Sequence, residues 1–174
     1  AKNCAKELKV LGVTLKQPKK MVVKTYTELL KQIASKGLKL KWGEDIPPEG
    51  ERIIKELYDA PVIISEMPME QKPYYIHPHE KDKKLSYGFD LIFEGMELAS
   101  GGRRIHDPDM YIAGLKSKGM NPKGFESTIE FYKYGMQPHA GWAIGVDRLV
   151  MVMLGLNNVR EAVLFPRDAK RLTP

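Results

Sequence analysis

One cysteine, Cys4, is the whole thiol content of the 174 residues. A single thiol excludes an internal disulfide and a cysteine-based zinc cluster, and it suits a reducing compartment. Long apolar runs are missing too. No stretch approaches the roughly 18 consecutive apolar residues of a membrane-spanning helix, and no secretory signal pattern is visible. The expected location is therefore cytoplasmic, with no membrane partner. Repeats, low-complexity tracts and linkers are absent, as are a phosphate-binding P-loop and a Ser-His-Asp set. Four histidines (His77, His79, His106 and His139) show no metal spacing, and His77-x-His79 reads as loop rather than as a ligand pair. What remains is an ordinary globular composition, 43% hydrophobic and 29% charged, at a length that suits one domain with its own core.

The net charge of +6 is unevenly distributed. Residues 1–41 hold eleven lysines against Glu7 and Glu28, while the rest of the chain carries a small acidic excess. A basic end of this kind can follow a phosphate backbone or can simply be a set of solvated helix faces.

Capping and turn signals divide the chain. Residues 2–11 read as a helix ended by Gly12, and a short strand is expected around 21–23. Thr25-x-x-Glu28 is a capping box opening a helix to about Ser35, closed by Gly37. Residues 49–58 form a helix with Ile53, Ile54 and Leu57 as its apolar face. "PVIISEMP" is a short apolar run, hence a buried strand, and "PYYIHP" is a second extended piece before a charged loop. Asp107-Pro108 and Asn121-Pro122 each combine an N-cap with a first-turn proline, predicting helices over 108–118 and 122–134. The fold class is α+β: an antiparallel sheet flanked by helices.

The stretch "FDLIFEGMELASGGRRIHDPD" places two acids, Asp90 and Glu97, among apolar residues. With Glu94-Gly95 as a two-residue turn, Ile92 faces Glu97 and Asp90 faces Ala99. The two acids become diagonal neighbours on one face, roughly 7–8 Å apart. At that separation they can share a divalent cation bridged by phosphate oxygens, an arrangement magnesium favours, or they can sit on a wet sheet face. Gly101 and Gly102 suit a bulge or a close approach by another molecule. Strict alternation puts Arg104 on the face opposite Glu97, and a bulge at the glycines would bring it back. There it could take a substrate carboxylate in bidentate fashion or pair with the acids.

"GWAIGVDRLVMVMLGL" reads as a strand, a turn at Gly145 and an apolar, buried helix from Val146 to Leu154, with Met151 and Met153 as core. Asp147 and Arg148 fall in its first turn, where free N–H groups and the helix dipole attract phosphate. Arg148 could reach a terminal phosphate, or pair with Asp147 or a neighbouring strand.

Taken together, "SYGFDLIFEGMELASGGRRIHDPDM", "YGMQPHAGWAIGVDRLVMVMLGLNNVREAVLFPRD" and "AKRLTP" resemble class II aminoacyl-tRNA synthetases, in particular the aspartyl branch. The likeness is strongest from residue 85 onward and weaker through "LKLKWGEDI". It implies roles residue by residue. Asp90 and Glu97 would hold ATP through Mg2+, with Ser100 near the same ion and the amino acid. Arg104 would bind the side-chain carboxylate of L-aspartate. Gly145, Val146, Asp147 and Arg148 would line the ATP site, with Arg148 on the γ-phosphate. Arg148 and Glu97 would then be the catalytic pair, in an adenylate-forming step followed by transfer to tRNA(Asp). The resemblance further implies that residues 1–174 are the C-terminal portion of a catalytic domain. The first two signature motifs, the anticodon-binding domain and a homodimer interface would then lie upstream, and the isolated portion would activate aspartate poorly. An asparaginyl or relaxed enzyme, and a non-catalytic synthetase-like RNA- or protein-binding paralogue, are the alternatives.

Overall fold

The computed structural model describes residues 2–15, 17–18 and 20–173. Its centre is a five-stranded sheet of order β1-β2-β3-β4-β5, formed by Val22–Thr25, Val62–Ser65, Gly88–Phe93, Met96–Arg103 and Ala140–Ile144. The pairings from β2 to β5 are antiparallel, as expected, whereas β1 and β2 run parallel. That departure follows from connectivity: two helices, α2 (Tyr26–Ser35) and α3 (Pro48–Leu57), carry the chain back before β2 begins.

The capping box forms as predicted. The Glu28 amide donates to Thr25 Oγ1 at 3.2 Å and the Thr25 amide donates to Glu28 Oε2 at 2.9 Å. From that start Tyr26, Leu29, Leu30 and Ile33 recur at helical spacing and point inward. They pack with Ile54 of α3, Val62 and Ile64 of β2 and Ile92 of β3 in one apolar layer that also takes in Ile46 and Met67. Of the predicted α3 face, Ile54 is buried while Ile53 and Leu57 are half-buried. By contrast α1 (Ala5–Leu11), preceded by a 3-10 turn over Lys2–Cys4, has no buried residue, so its lysines are solvated.

A second core lies beyond the far end of β4. Asp107 caps α4 (Pro108–Ser117) by accepting from the Met110 amide at 2.7 Å. Residues 122–134 contain α5 (Glu126–Lys133), shorter than expected because Pro122–Phe125 is a 3-10 turn. Ile105, Tyr111, Leu115, Ile129 and Tyr132 close this core. Gly114 is where α4 meets the Tyr74 carbonyl, and a Cβ there would collide with that oxygen. An ordinary Gly→Ala exchange inside a helix gains about 1 kcal/mol. Gly114→Ala is expected instead to lower unfolding free energy by roughly 1–3 kcal/mol in a urea titration, because a backbone cannot yield as a side chain does.

"PYYIHP" was expected to be extended, but Tyr74 and Tyr75 form a turn in which the Ile76 amide donates to the Pro73 carbonyl at 3.0 Å; only Ile76 and Pro78 make isolated bridges, to Arg104 and Ser86, and the prolines lack the donors a continuous ladder needs. The last helix, α6 (Val146–Leu154), corrects an expectation. It is capped at its end by Gly155 in the left-handed region and buries only Met151. Val146 is 64% exposed and Met153 44%. The helix packs on β4 and on the 3-10 turn Val159–Glu161, while β5 lies at the sheet edge with Trp142 and Ile144 exposed. Apolarity there does not mean burial.

Candidate active site

The hairpin turn is Glu94-Gly95, both with positive φ (52° and 75°), the backbone that suits right-twisted antiparallel strands. Ile92 faces Glu97 as predicted. Beyond that pair the register slips: a bulge leaves Leu98 unpaired, so Asp90 faces Ser100 and not Ala99. The slip has a chemical consequence. Glu97 and Ser100, three residues apart, both open onto the cavity that Asp90 lines, and Arg104, an even number of residues past Ser100, joins them.

The bulge therefore does what Gly101-Gly102 was expected to do, and the glycines do something else. A Cβ on Gly101 would fall 2.5 Å from Trp142 Cβ and 2.6 Å from the Gly141 carbonyl oxygen; one on Gly102 would fall 2.6 Å from the Tyr87 carbonyl oxygen. The close approach is by the protein's own chain.

Two open cavities meet at the acids. The larger, about 650 Å³, is bounded by Asp45, Glu51, Asp90, Glu97, Arg148 and the apolar side chains of Ile64 and Ile92. The smaller, about 290 Å³, is bounded by Gln71, Lys72, Asp90, Glu97, Ser100 and Arg104. Asp90 and Glu97 stand in both walls. They lie among apolar residues because Ile92 continues the core on their face, and the acids occupy its rim, where α3 and the loop before it frame a cleft.

Arg148, from the first turn of α6, donates to the Glu97 carbonyl oxygen at 2.8 Å and stands 3.7 Å from its carboxylate. Of the other residues at this turn, Val146, Asp147 and Gly145 are exposed and border neither cavity. The Gly145 amide donates to the Leu98 carbonyl at 2.8 Å, which ties the turn to the bulge. No capping side chain serves the N-terminus of α6, leaving its first-turn amides turned outward.

Arg104 is held from two sides. Its Nη2 donates to the Gly141 carbonyl at 3.0 Å, and its guanidinium lies 4.9 Å from the centre of the Tyr75 ring. A Cβ on Gly141 would press within 3.0–3.2 Å of the guanidinium nitrogens, so that glycine makes the space the arginine occupies.

Several site residues had no signal in the local sequence. Lys72 is buried and donates to both Asp90 oxygens, at 2.6 and 2.7 Å. Glu51 and Asp45 face the same cleft from α3 and the loop before it. Gln71 adds a buried amide oxygen with no partner among the described residues. Only their tertiary placement reveals them.

The electrostatics are those of a site short of positive charge. Burial, then the neighbouring Asp90 carboxylate, pushes the Glu97 carboxyl above its ordinary value, with Arg148 and Lys72 only partly opposing. Burial and Glu97 raise Glu51 in the same way. A triphosphate entering a cleft of four carboxylates and one guanidinium would be repelled unless divalent cations came with it. The donors fit magnesium: hard oxygens from Asp90, Glu97 and Ser100. Among the described residues no cluster of three or more His, Cys, Asp or Glu side chains could form an all-protein cage, and magnesium sites often use one or two carboxylates with phosphates and water.

The profile of the tRNA synthetases class II (D, K and N) matches residues 1–169, reaching further toward the N-terminus than the motifs from residue 85 onward. An aspartate–tRNA(Asp/Asn) ligase of Methanococcus maripaludis is 42% identical over 173 residues, 99% of this chain and 40% of its own length. One from Haloquadratum walsbyi is 43% identical over 180 residues, 100% of this chain and 42% of its own length. The chain thus spans about two-fifths of the curated relatives it matches. Among solved structures, the asparaginyl-tRNA synthetase of Entamoeba histolytica superposes with a TM-score of 0.90 at 28% identity, over 99% of this chain and 41% of that one. The aspartyl-tRNA synthetase of the same organism gives 0.85 at 32% identity, over 90% and 33%. Sequence and fold agree: the chain belongs to the class II tRNA synthetases of the D, K and N group.

Proposed function

We propose that this chain carries the adenylate-forming site of an aspartate–tRNA ligase. The observation behind this reading is the junction of two cavities at one acid pair, with Arg148 on the larger side and Arg104 on the smaller. A reaction that joins a nucleotide to an amino acid needs such a meeting point. ATP would lie in the larger cleft, its phosphates directed toward Arg148 and the acids, and L-aspartate in the smaller one, its side-chain carboxylate on the free donors of Arg104. Asp90, Glu97 and Ser100 would hold magnesium, which supplies Lewis-acid neutralisation of phosphate charge when bound.

The aspartate α-carboxylate oxygen attacks the α-phosphorus, the bond to the bridging oxygen breaks, and pyrophosphate leaves. A terminal ribose hydroxyl of tRNA then attacks the adenylate carbonyl and AMP departs. In this scheme the protein forms no covalent intermediate, and its residues act by position and charge. Arg148, anchored on the Glu97 carbonyl, is placed to meet charge gathering on the leaving group. Gly145, Val146 and Asp147 act through the backbone that sets this turn.

The test is ATP–pyrophosphate exchange in a chimera in which these 174 residues replace the matching segment of the Methanococcus maripaludis ligase. Aspartate is expected to support exchange about 100-fold better than asparagine, because the carboxamide lacks the charge that Arg104 would pair with, a loss of roughly 2–5 kcal/mol. Equal or better exchange with asparagine would overturn the amino-acid assignment. The relatives' name, aspartate–tRNA(Asp/Asn) ligase, favours a second reading on the tRNA side: charging of both tRNA species. Aminoacylation of each with the same chimera separates the two.

A further inference from the structure

The buried lysine beside the acid pair has no part in the scheme above. Lys72 follows a 3-10 turn over Met69–Gln71 and enters the site from outside the hairpin. Its side chain is 9% exposed and that of Asp90 15%. The ammonium bonds both oxygens of one carboxylate, at 2.6 and 2.7 Å. Its route is prepared by Gly88 of β3: a Cβ there would fall 3.0, 3.1 and 3.1 Å from Lys72 Cγ, Cδ and Cε. The lysine stem lies across the strand in the space the missing side chain leaves. Glu97, by contrast, has no cation nearer than Arg148 at 3.7 Å among the described residues. The two acids are therefore unequal in the fold: one is bonded at contact distance by a buried ammonium, while the other faces only a half-exposed guanidinium at 3.7 Å.

We propose that Lys72 is a positioning residue, the resident counter-cation of Asp90, and that it sets the affinity of this site for divalent metal. With Lys72 in place, a metal ion finds Glu97 and Ser100 free, and Asp90 oriented but already satisfied. The ammonium lowers the negative potential and occupies the Asp90 lone pairs, so metal binds weakly until a nucleotide brings its own phosphate oxygens. Metal then arrives with ATP, not before it, and the free protein does not fill its acid pair with an ion that would have to rearrange. The inference rests on reading the acid pair as a magnesium–nucleotide site.

Mn2+ binding to the 174-residue chain, followed by electron paramagnetic resonance without nucleotide and with Mg2+ as competitor, tests it. Lys72→Met is expected to bind Mn2+ at least about tenfold more tightly than the unaltered chain, because one positive charge at contact range is removed, while Lys72→Arg stays within about threefold of it. Gly88→Ala crowds the lysine stem without removing its charge and is expected to tighten binding in the same direction by a smaller factor, with a circular dichroism spectrum like that of the unaltered chain. It provides the answer should Lys72→Met fail to fold. Lysine reactivity supplies a second readout in the unaltered chain: reductive methylation of Lys72 is expected to rise when Mn2+ saturates the site. Unchanged or weaker Mn2+ binding in both variants, with methylation of Lys72 indifferent to metal, would overturn the role given to Lys72. If Glu97→Gln also leaves Mn2+ binding unaffected, the magnesium-site reading falls as well, so the two failures are distinguishable.

Discussion

Replacing Arg104 by methionine is expected to raise the KM for aspartate in pyrophosphate exchange by about 10²–10³-fold, with a much smaller change in the KM for ATP. The guanidinium spends one donor on the Gly141 carbonyl and one face on the Tyr75 ring, so its remaining donors are aimed and pre-organised. Losing one partner of a desolvated, hydrogen-bonded charge pair costs roughly 2–5 kcal/mol, about 30- to 4,000-fold at about 1.4 kcal/mol per tenfold, and the expected loss lies in the middle of that span. Stability should change far less, since a cation–π contact of this kind contributes about 0.5–1 kcal/mol. Arg104→Lys keeps the charge but not the planar fork, and is expected to recover less than half of the lost binding free energy. Parallel losses for aspartate and ATP would place Arg104 in the scaffold and not in the amino-acid site. The measurement is a matched pair of saturation curves in the chimera.

How much of this was legible before any coordinates existed depends on the range of the interactions. Helix starts are local, and they were readable: Thr25-x-x-Glu28 and Asp107-Pro108 form the caps their spacing predicts. The hairpin was readable for the same reason, since a Glu-Gly turn constrains both its residues to positive φ and so fixes the pairing next to it. One residue beyond the Ile92–Glu97 pair the prediction fails. The bulge at Leu98 has no local signature, because Leu98 is simply an apolar residue whose burial is worth more than one ladder bond. The glycines three and four residues later looked like the irregular point, yet they serve the packing of β4 against Trp142 of β5 and against the Tyr87 carbonyl.

The same limit explains the site. Asp90, Glu97, Ser100 and Arg104 lie within one hairpin, so a strand pattern could bring them near each other. Lys72 lies 18 residues before Asp90 in the chain, and Asp45 and Glu51 belong to the region that leads into α3. Nothing in their neighbourhoods distinguishes them from surface charges until the sheet order is known. The misreading of α6 is different in kind. Its residues are apolar enough for a core helix, but only Met151 of the helix is buried, and β5 at the edge has no strand beyond it among the described residues. Composition reports what a segment would prefer to contact, not what is present to be contacted.

Glu97→Gln should separate stability from function most sharply. The substitution preserves shape and removes one negative charge from between Asp90 and Glu51. Because burial and Asp90 raise the Glu97 carboxyl above 4.5, the folded protein holds this ionised group less favourably than the unfolded chain does. That penalty is fully present above the raised folded value and vanishes below 4.5, where both states are protonated. Glutamine removes it, so the variant is expected to be slightly more stable at neutral pH, by less than about 1 kcal/mol since the side chain is 37% exposed and water screens it. The gain should disappear in urea titrations run at about pH 4. Function should move the other way. Loss of the metal-holding carboxylate that Lys72 leaves free is expected to cut kcat/KM for ATP in the chimera about 10²–10³-fold, the range seen when one preorganised electrostatic group is removed. The loss should persist at saturating aspartate and be only partly relieved by raising magnesium. A variant that is destabilised at neutral pH, or that keeps full exchange activity at low magnesium, would show that Glu97 is a structural acid and that the metal is held without it.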